Sequence, residues 1–156
     1  MSIKYAQPEL RNFGQDYRGR TRFLTKLEEW KAKYAGLFVM CALDEVIRVY
    51  ALSDAKSHGQ VCGECETQGR VLGGGSISLD DKMRPVSLSS RSMDFGSLPN
   101  NVLEEYFESF GYTVKAGMFD EGETKGIQDS TREYFKKHGI EIWLVFVPEG
   151  IRPNNY

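Results

Sequence analysis

No apolar run in the chain approaches the ~20 residues that a membrane-spanning helix needs, so no membrane partner is expected. The opening stretch, Met1 to Pro8, has no apolar core of the kind a secretory leader carries. Cysteine is scarce: three, an odd number, does not build the paired framework of a small secreted protein. A reducing compartment, the cytoplasm, is the expectation. Charge of one sign is also missing. Lys and Arg total 20 against 22 Asp and Glu, whereas a protein that neutralises many nucleic-acid phosphates needs a strongly basic face. Histidine occurs twice, so imidazole chemistry has two candidates, His58 and His138. No internal repeat, low-complexity segment or interdomain linker is visible.

What is present is a globular composition, 40% apolar and 27% charged. The length of 156 residues suits one domain that buries roughly two thirds of its unfolded surface. Residues 1–20 are polar and read as an N-terminal arm, with a single globular unit over 21–150. Phe23, Leu27, Trp30 and Tyr34 recur at helical spacing and predict a helix over 21–34, ended by Gly36. Leu37 to Leu43 and Val46 to Leu52 predict a hairpin turned at Asp44-Glu45. Residues 53–70 admit a short helix followed by a loop. Strands follow over 71–79 and 85–91.

Asn100 is placed to cap a helix through Phe110, with Val102, Leu103, Tyr106, Phe107 and Phe110 on one face. A strand is expected over 112–119, then an acidic loop. Ser130-Thr131-Arg132-Glu133 has the form of a capping box, which predicts a last helix that stops at Gly139. Ile142 to Val147 is apolar on both faces and reads as a central strand. The sum is an α+β fold: a single mixed sheet of five to six strands flanked by about three helices. Trp30 and Trp143 fall on core stripes, and His138 suits the end of a helix, where a cation meets the dipole.

Two motifs carry the functional signal. Leu72-Gly73-Gly74-Gly75-Ser76-Ile77 has three residues without Cβ atoms, where φ can turn positive or another group can come close. Ser92-Met93-Asp94-Phe95-Gly96 stands between a strand and a helix, where main-chain N–H groups can collect an anion. Neither motif matches G-x-G-x-x-G or the P-loop.

Together these motifs resemble the Janus/Ocnus family of phosphohistidine phosphatases. That family reads L-G-G-G-R-I, a strand pair, then S-M-A-Y-G. Glu45-Val46-Ile47-Arg48-Val49-Tyr50 resembles its E-I-V-R-G-Y strand, and Tyr112-Thr113-Val114 and Asp120-Glu121-Gly122 resemble its Y-E-V and D-G ending. The likeness spans roughly residues 45–122. It places a phosphatase-like core at about 37–122, with an added helix before it and a helix-strand unit after it.

The resemblance implies cofactor-free hydrolysis of a phosphoramidate, phosphohistidine or phospholysine. It implies His58 as the general acid or base. Ser92, Met93 and Asp94 then grip the phosphoryl group beside the Gly73-Gly74-Gly75 backbone, with Arg91 alongside. The implied partner is a phosphorylated protein or a small phosphorylated ligand. The alternative is a non-catalytic module on the same fold, which sequesters a nucleotide or another phosphorylated ligand or binds a protein. Asp94 favours it, because a carboxylate ~4 Å from a phosphate dianion repels it by about 1 kcal/mol per charge pair even in water.

Cys62-Gly63-Glu64-Cys65 is a C-x-x-C. With His58 it offers three zinc-type ligands in eight residues. A redox role and plain reduced thiols are the other readings, and the family, which carries cysteines before its glycines without a metal, favours the last. Asp80, Asp81, Asp94, Asp120, Glu121 and Glu123 read as solvated loop carboxylates or, less simply, a cation cluster.

Overall fold

The computed structural model describes residues 3–12, 34–82, 84–89, 92, 95–117 and 126–142. One mixed sheet organises them. Its centre is the antiparallel set β3 (Tyr34–Leu43), β4 (Val46–Ser53), β5 (Arg70–Leu79) and β6 (Pro85–Ser89), in the spatial order β4-β3-β5-β6. At one edge β1 (Lys4–Tyr5) and β2 (Glu9–Asn12) both pair with β4 in parallel. At the other, β7 (Lys115–Gly117) lies parallel to β6. Three helices complete the described residues: α1 (His58–Glu64), α2 (Asn100–Glu108) and α3 (Asp129–Lys137).

The sheet is covered on both faces, which explains why β3 is continuously apolar rather than alternating. Phe38, Met40 and Ala42 enter the larger core with Ile47, Val49, Ile77 and the buried stripes of α2 and α3. Val39 and Cys41 point the other way, into a smaller core with Tyr50, Leu52, Val61 and Cys65. Helix α2 buries Val102, Leu103, Tyr106 and Phe107 of the predicted stripe, while Phe110 lies beyond its end and is partly buried against the same core. Helix α3 buries Thr131 and Phe135, and the Thr131 hydroxyl donates to the Leu72 carbonyl at 2.7 Å.

Tyr106 ties the N-terminal strands to this core. Its hydroxyl donates to the Ala6 carbonyl at 2.6 Å and accepts from the Val49 N–H at 3.1 Å. Tyr106→Phe leaves that buried N–H without its acceptor. The expected cost is about 1–3 kcal/mol, read as a lower urea midpoint at unchanged slope.

Several expectations change. Within the N-terminal arm, residues 4–5 and 9–12 extend the sheet. Gly36 does not end a helix. It lies inside β3 opposite Ser53, where a Cβ would collide with the Leu52 carbonyl oxygen. Tyr34 belongs to the same strand. Helix α2 begins one residue earlier than expected: Pro99 occupies the cap position and Asn100 is helical, with no side-chain cap bond. Ser130 likewise lies inside α3, whose cap position is Gln128, so the capping-box reading fails there. Of the strand expected over 112–119, Lys115–Gly117 form β7 and 112–114 do not, while 118–119 lie outside the described residues. The predicted helix over 21–33, the strand over 143–147 and the acidic residues Asp94, Asp120, Glu121 and Glu123 lie outside the described residues. No helix among the described residues is long and apolar enough to cross a membrane.

Candidate functional site

Helix α1 begins at His58 for a local reason. Ser57 adopts an extended conformation and its Oγ accepts from the Gln60 N–H at 3.1 Å. The Gln60 side chain turns back to accept from the Lys56 N–H at 2.8 Å. This is close to a capping box, and Ser57-x-x-Gln60 was the signal in the sequence that fixes where the ambiguous 53–70 segment becomes helical. The consequence is that His58 is aimed at the sheet, and it is 8% exposed.

His58 lands on the glycine run. Its Nε2 is 3.0 Å from the Gly75 carbonyl oxygen. A carbonyl only accepts, so Nε2 carries the proton and the lone pair of the neutral ring is on Nδ1. The ring occupies the space a side chain on Gly74 would need, since a Cβ there would stand 2.9 Å from the His58 Cδ2 and 2.6 Å from the Phe38 carbonyl oxygen.

The other two glycines admit other neighbours. A Cβ on Gly73 would meet the Leu98 Cγ at 2.7 Å and the Gly96 carbonyl oxygen at 2.9 Å. One on Gly75 would overlap the Ser89 carbonyl oxygen and approach the Phe38 ring at 2.9 Å. None of the three has a positive φ. They serve close approach, not a turn.

The second motif reaches the same place. Phe95 presents an edge-on contact to His58, with ring centroids 6.3 Å apart and an interplanar angle of 85°. The buried Ser92 turns that loop by accepting from the Phe95 N–H at 3.1 Å. Gly96, at φ +84°, accepts from the Gly74 N–H at 3.0 Å, and the Ser97 N–H donates to the Gly126 carbonyl at 3.0 Å. The Gly74 amide is therefore committed within the chain and does not face a ligand. Arg91, Met93 and Asp94 lie outside the described residues. Sequence reasoning named His58, the glycines and Ser92. It missed the Gly75 carbonyl as the partner of the imidazole and Phe95 as its ring neighbour; neither has a sequence signal beyond its motif.

The remaining candidates stand apart. Cys62 and Cys65 lie on the last turn of α1, and Cys41 lies on β3. All three are free thiols. Burial, with the neighbouring Cys62 thiol second, pushes Cys41 up to about 12. Burial, then the Glu9 carboxylate, pushes Cys65 up to about 11. Among the described residues no three His, Cys, Asp or Glu side chains are grouped to hold a metal ion. Asp80 is engaged in its own turn, accepting from the Lys82 and Arg84 N–H groups at 2.9 Å and pairing with the Arg84 guanidinium at 2.8 Å. His138 occupies the C-terminal cap position of α3, with its ring centroid 4.6 Å from that of Tyr134. A cavity of about 420 Å³ opens at the far end of α1, walled by Arg11, Cys41, Arg48, Tyr50, Cys65 and Glu66. Neither His58 nor the glycine run lines it.

No protein-family model matches the chain, and no curated protein matches it.

Proposed function

We propose that the protein hydrolyses a phosphoramidate, in the manner the resemblance to phosphohistidine phosphatases implies. The observation that carries the reading is that His58, Gly73-Gly74-Gly75 and, from the second motif, Phe95 and Gly96 lie against one another. In the reaction the P–N bond breaks, phosphorus gains the oxygen of water, and the leaving nitrogen gains a proton. His58 acts through Nδ1, as the base that deprotonates the attacking water or as the nucleophile itself. The Gly75 carbonyl holds Nε2–H, fixes the tautomer, and gains strength as an acceptor when the ring becomes an imidazolium. Main-chain N–H groups of the 92–96 loop other than that of Phe95, which the Ser92 hydroxyl holds, supply the oxyanion contacts. The Gly73-Gly74-Gly75 backbone supports this role sterically, by letting the imidazole and the loop come together.

Asp94 and the committed Gly74 amide favour a second reading, a module that binds a phosphorylated ligand without turnover. One assay separates the two. Chemically phosphorylated polyhistidine is incubated with the intact chain, and released phosphate is measured beside a thermal-shift titration with phosphate and nucleotides. Turnover is the expected result. Stabilisation without phosphate release gives the binding module, and neither response overturns both.

A further inference from the structure

We infer that Cys62 and Cys65 form a redox-active thiol pair, oxidised by a hydroperoxide to an intramolecular disulfide within the last turn of α1. The inference goes beyond the phosphatase reading and does not depend on it. Residues three apart in a helix have Cα atoms about 5 Å apart, inside the span a disulfide bridges. Their Cβ atoms, ~5–6 Å apart in a regular helix, are farther than a disulfide allows, so the last turn must tighten. The chain already leaves the helix there. Cys65 sits at φ −88°, ψ −3°, and Glu66 at φ +52°. The Thr67 N–H reaches back to the Cys62 carbonyl at 3.1 Å, closing the end of the helix. The 420 Å³ cavity borders Cys65 and Glu66, so the turn has room to move. The Cys65 thiol gives up its approach to the Ala51 carbonyl at 3.9 Å and shifts within the smaller core it shares with Leu52 and Val61.

The division of labour follows from burial. Cys62 is the most exposed of the three thiols, and Cys65 is buried behind it. The Cys62 sulfur, as thiolate, attacks a peroxide oxygen: an S–O bond forms, the O–O bond breaks, and the departing oxygen takes a proton. The Cys65 sulfur then displaces hydroxide from the Cys62 sulfenic acid. An S–S bond forms, and the Cys65 proton leaves with that hydroxide as water. Two electrons pass from the two sulfurs to the peroxide. Cys41 is not the resolving thiol. Cys41 also packs near Cys62, but it is fixed in β3 between β4 and β5, whereas Cys65 stands at the helix end, where the chain can tighten.

Peptide mapping of the intact chain tests this. Trypsin places Cys62 and Cys65 together in the Ser57–Arg70 peptide and Cys41 in the Tyr34–Arg48 peptide. After hydrogen peroxide and alkylation, the Ser57–Arg70 peptide is expected unalkylated and lighter by two hydrogens, and to regain two alkylation sites after dithiothreitol. Cys62→Ser abolishes the change. Cys65→Ser leaves a Cys62 sulfenic acid that dimedone traps. A cross-linked pair of peptides through Cys41, two thiols still open to alkylation, or Cys62 passing to sulfinic acid in the unmutated chain each overturns the inference.

Discussion

Gly75→Ala is expected to cost the fold at least about 3 kcal/mol, the top of the range for an overpacked site, against a total stability of roughly 5–15 kcal/mol for a domain of this kind. A Cβ at 75 overlaps the Ser89 carbonyl of β6 and reaches within 2.9 Å of the Phe38 ring. Neither neighbour yields cheaply. Ser89 is main chain in the β5–β6 ladder, paired with Ser76, and Phe38 is fully buried in the larger core. Relief requires β6 to move away from β5, which opens the sheet beside the loop that carries Ser92. Urea denaturation or a thermal melt reads the effect. An alanine variant as stable as the parent would mean that β6 does not run as close to β5 as described. Gly74→Ala makes the informative comparison. There the new methyl meets His58 and the Phe38 carbonyl, so it displaces the imidazole as well as straining the ladder.

His58→Gln is expected to lower phosphoramidate turnover by about a hundred- to ten-thousand-fold, the usual contribution of a positioned acid or base. Glutamine keeps an N–H that can donate to the Gly75 carbonyl, and so keeps the helix docked. It lacks a nitrogen lone pair of useful basicity. The melting temperature is therefore expected to move little while hydrolysis disappears. Phosphate release that survives the change undiminished removes His58 from the chemistry. Loss of activity together with loss of the folded signal would instead place the residue in the packing of α1.

The apolar runs made the architecture legible. Leu37 to Leu43, Val46 to Leu52 and the stripe Val102, Leu103, Tyr106, Phe107 each predicted their element, because burial dominates local preference at those positions. Caps were less legible. Asn100 and Ser130 are good capping residues, yet each sits inside its helix, since a shift of one or two residues costs little and packing of the apolar face decides the start. The strands at 4–5 and 9–12 were not legible, because an arm pairing with β4 gains its hydrogen bonds from a distant strand, which no local pattern announces. The glycine run was legible as a break in the side-chain pattern, but what fills the space was not. Close approach, with negative φ throughout, is its role, and the imidazole it receives starts at Ser57-x-x-Gln60, a signal that is readable but was overshadowed by the polar segment around it.

The arm also has a kinetic meaning. Lys4 and Glu9 find their partners only at Val46 and Tyr50, after the intervening chain exists, whereas β3 and β4 meet across a two-residue turn. Closing the long loop costs entropy before any ladder bond repays it. The hairpin can therefore form early and the arm must arrive late, although it is synthesised first. Until Tyr106 receives the Ala6 carbonyl, the β4 edge stands open. That interval is when two nascent copies of this chain could pair with each other instead of with themselves.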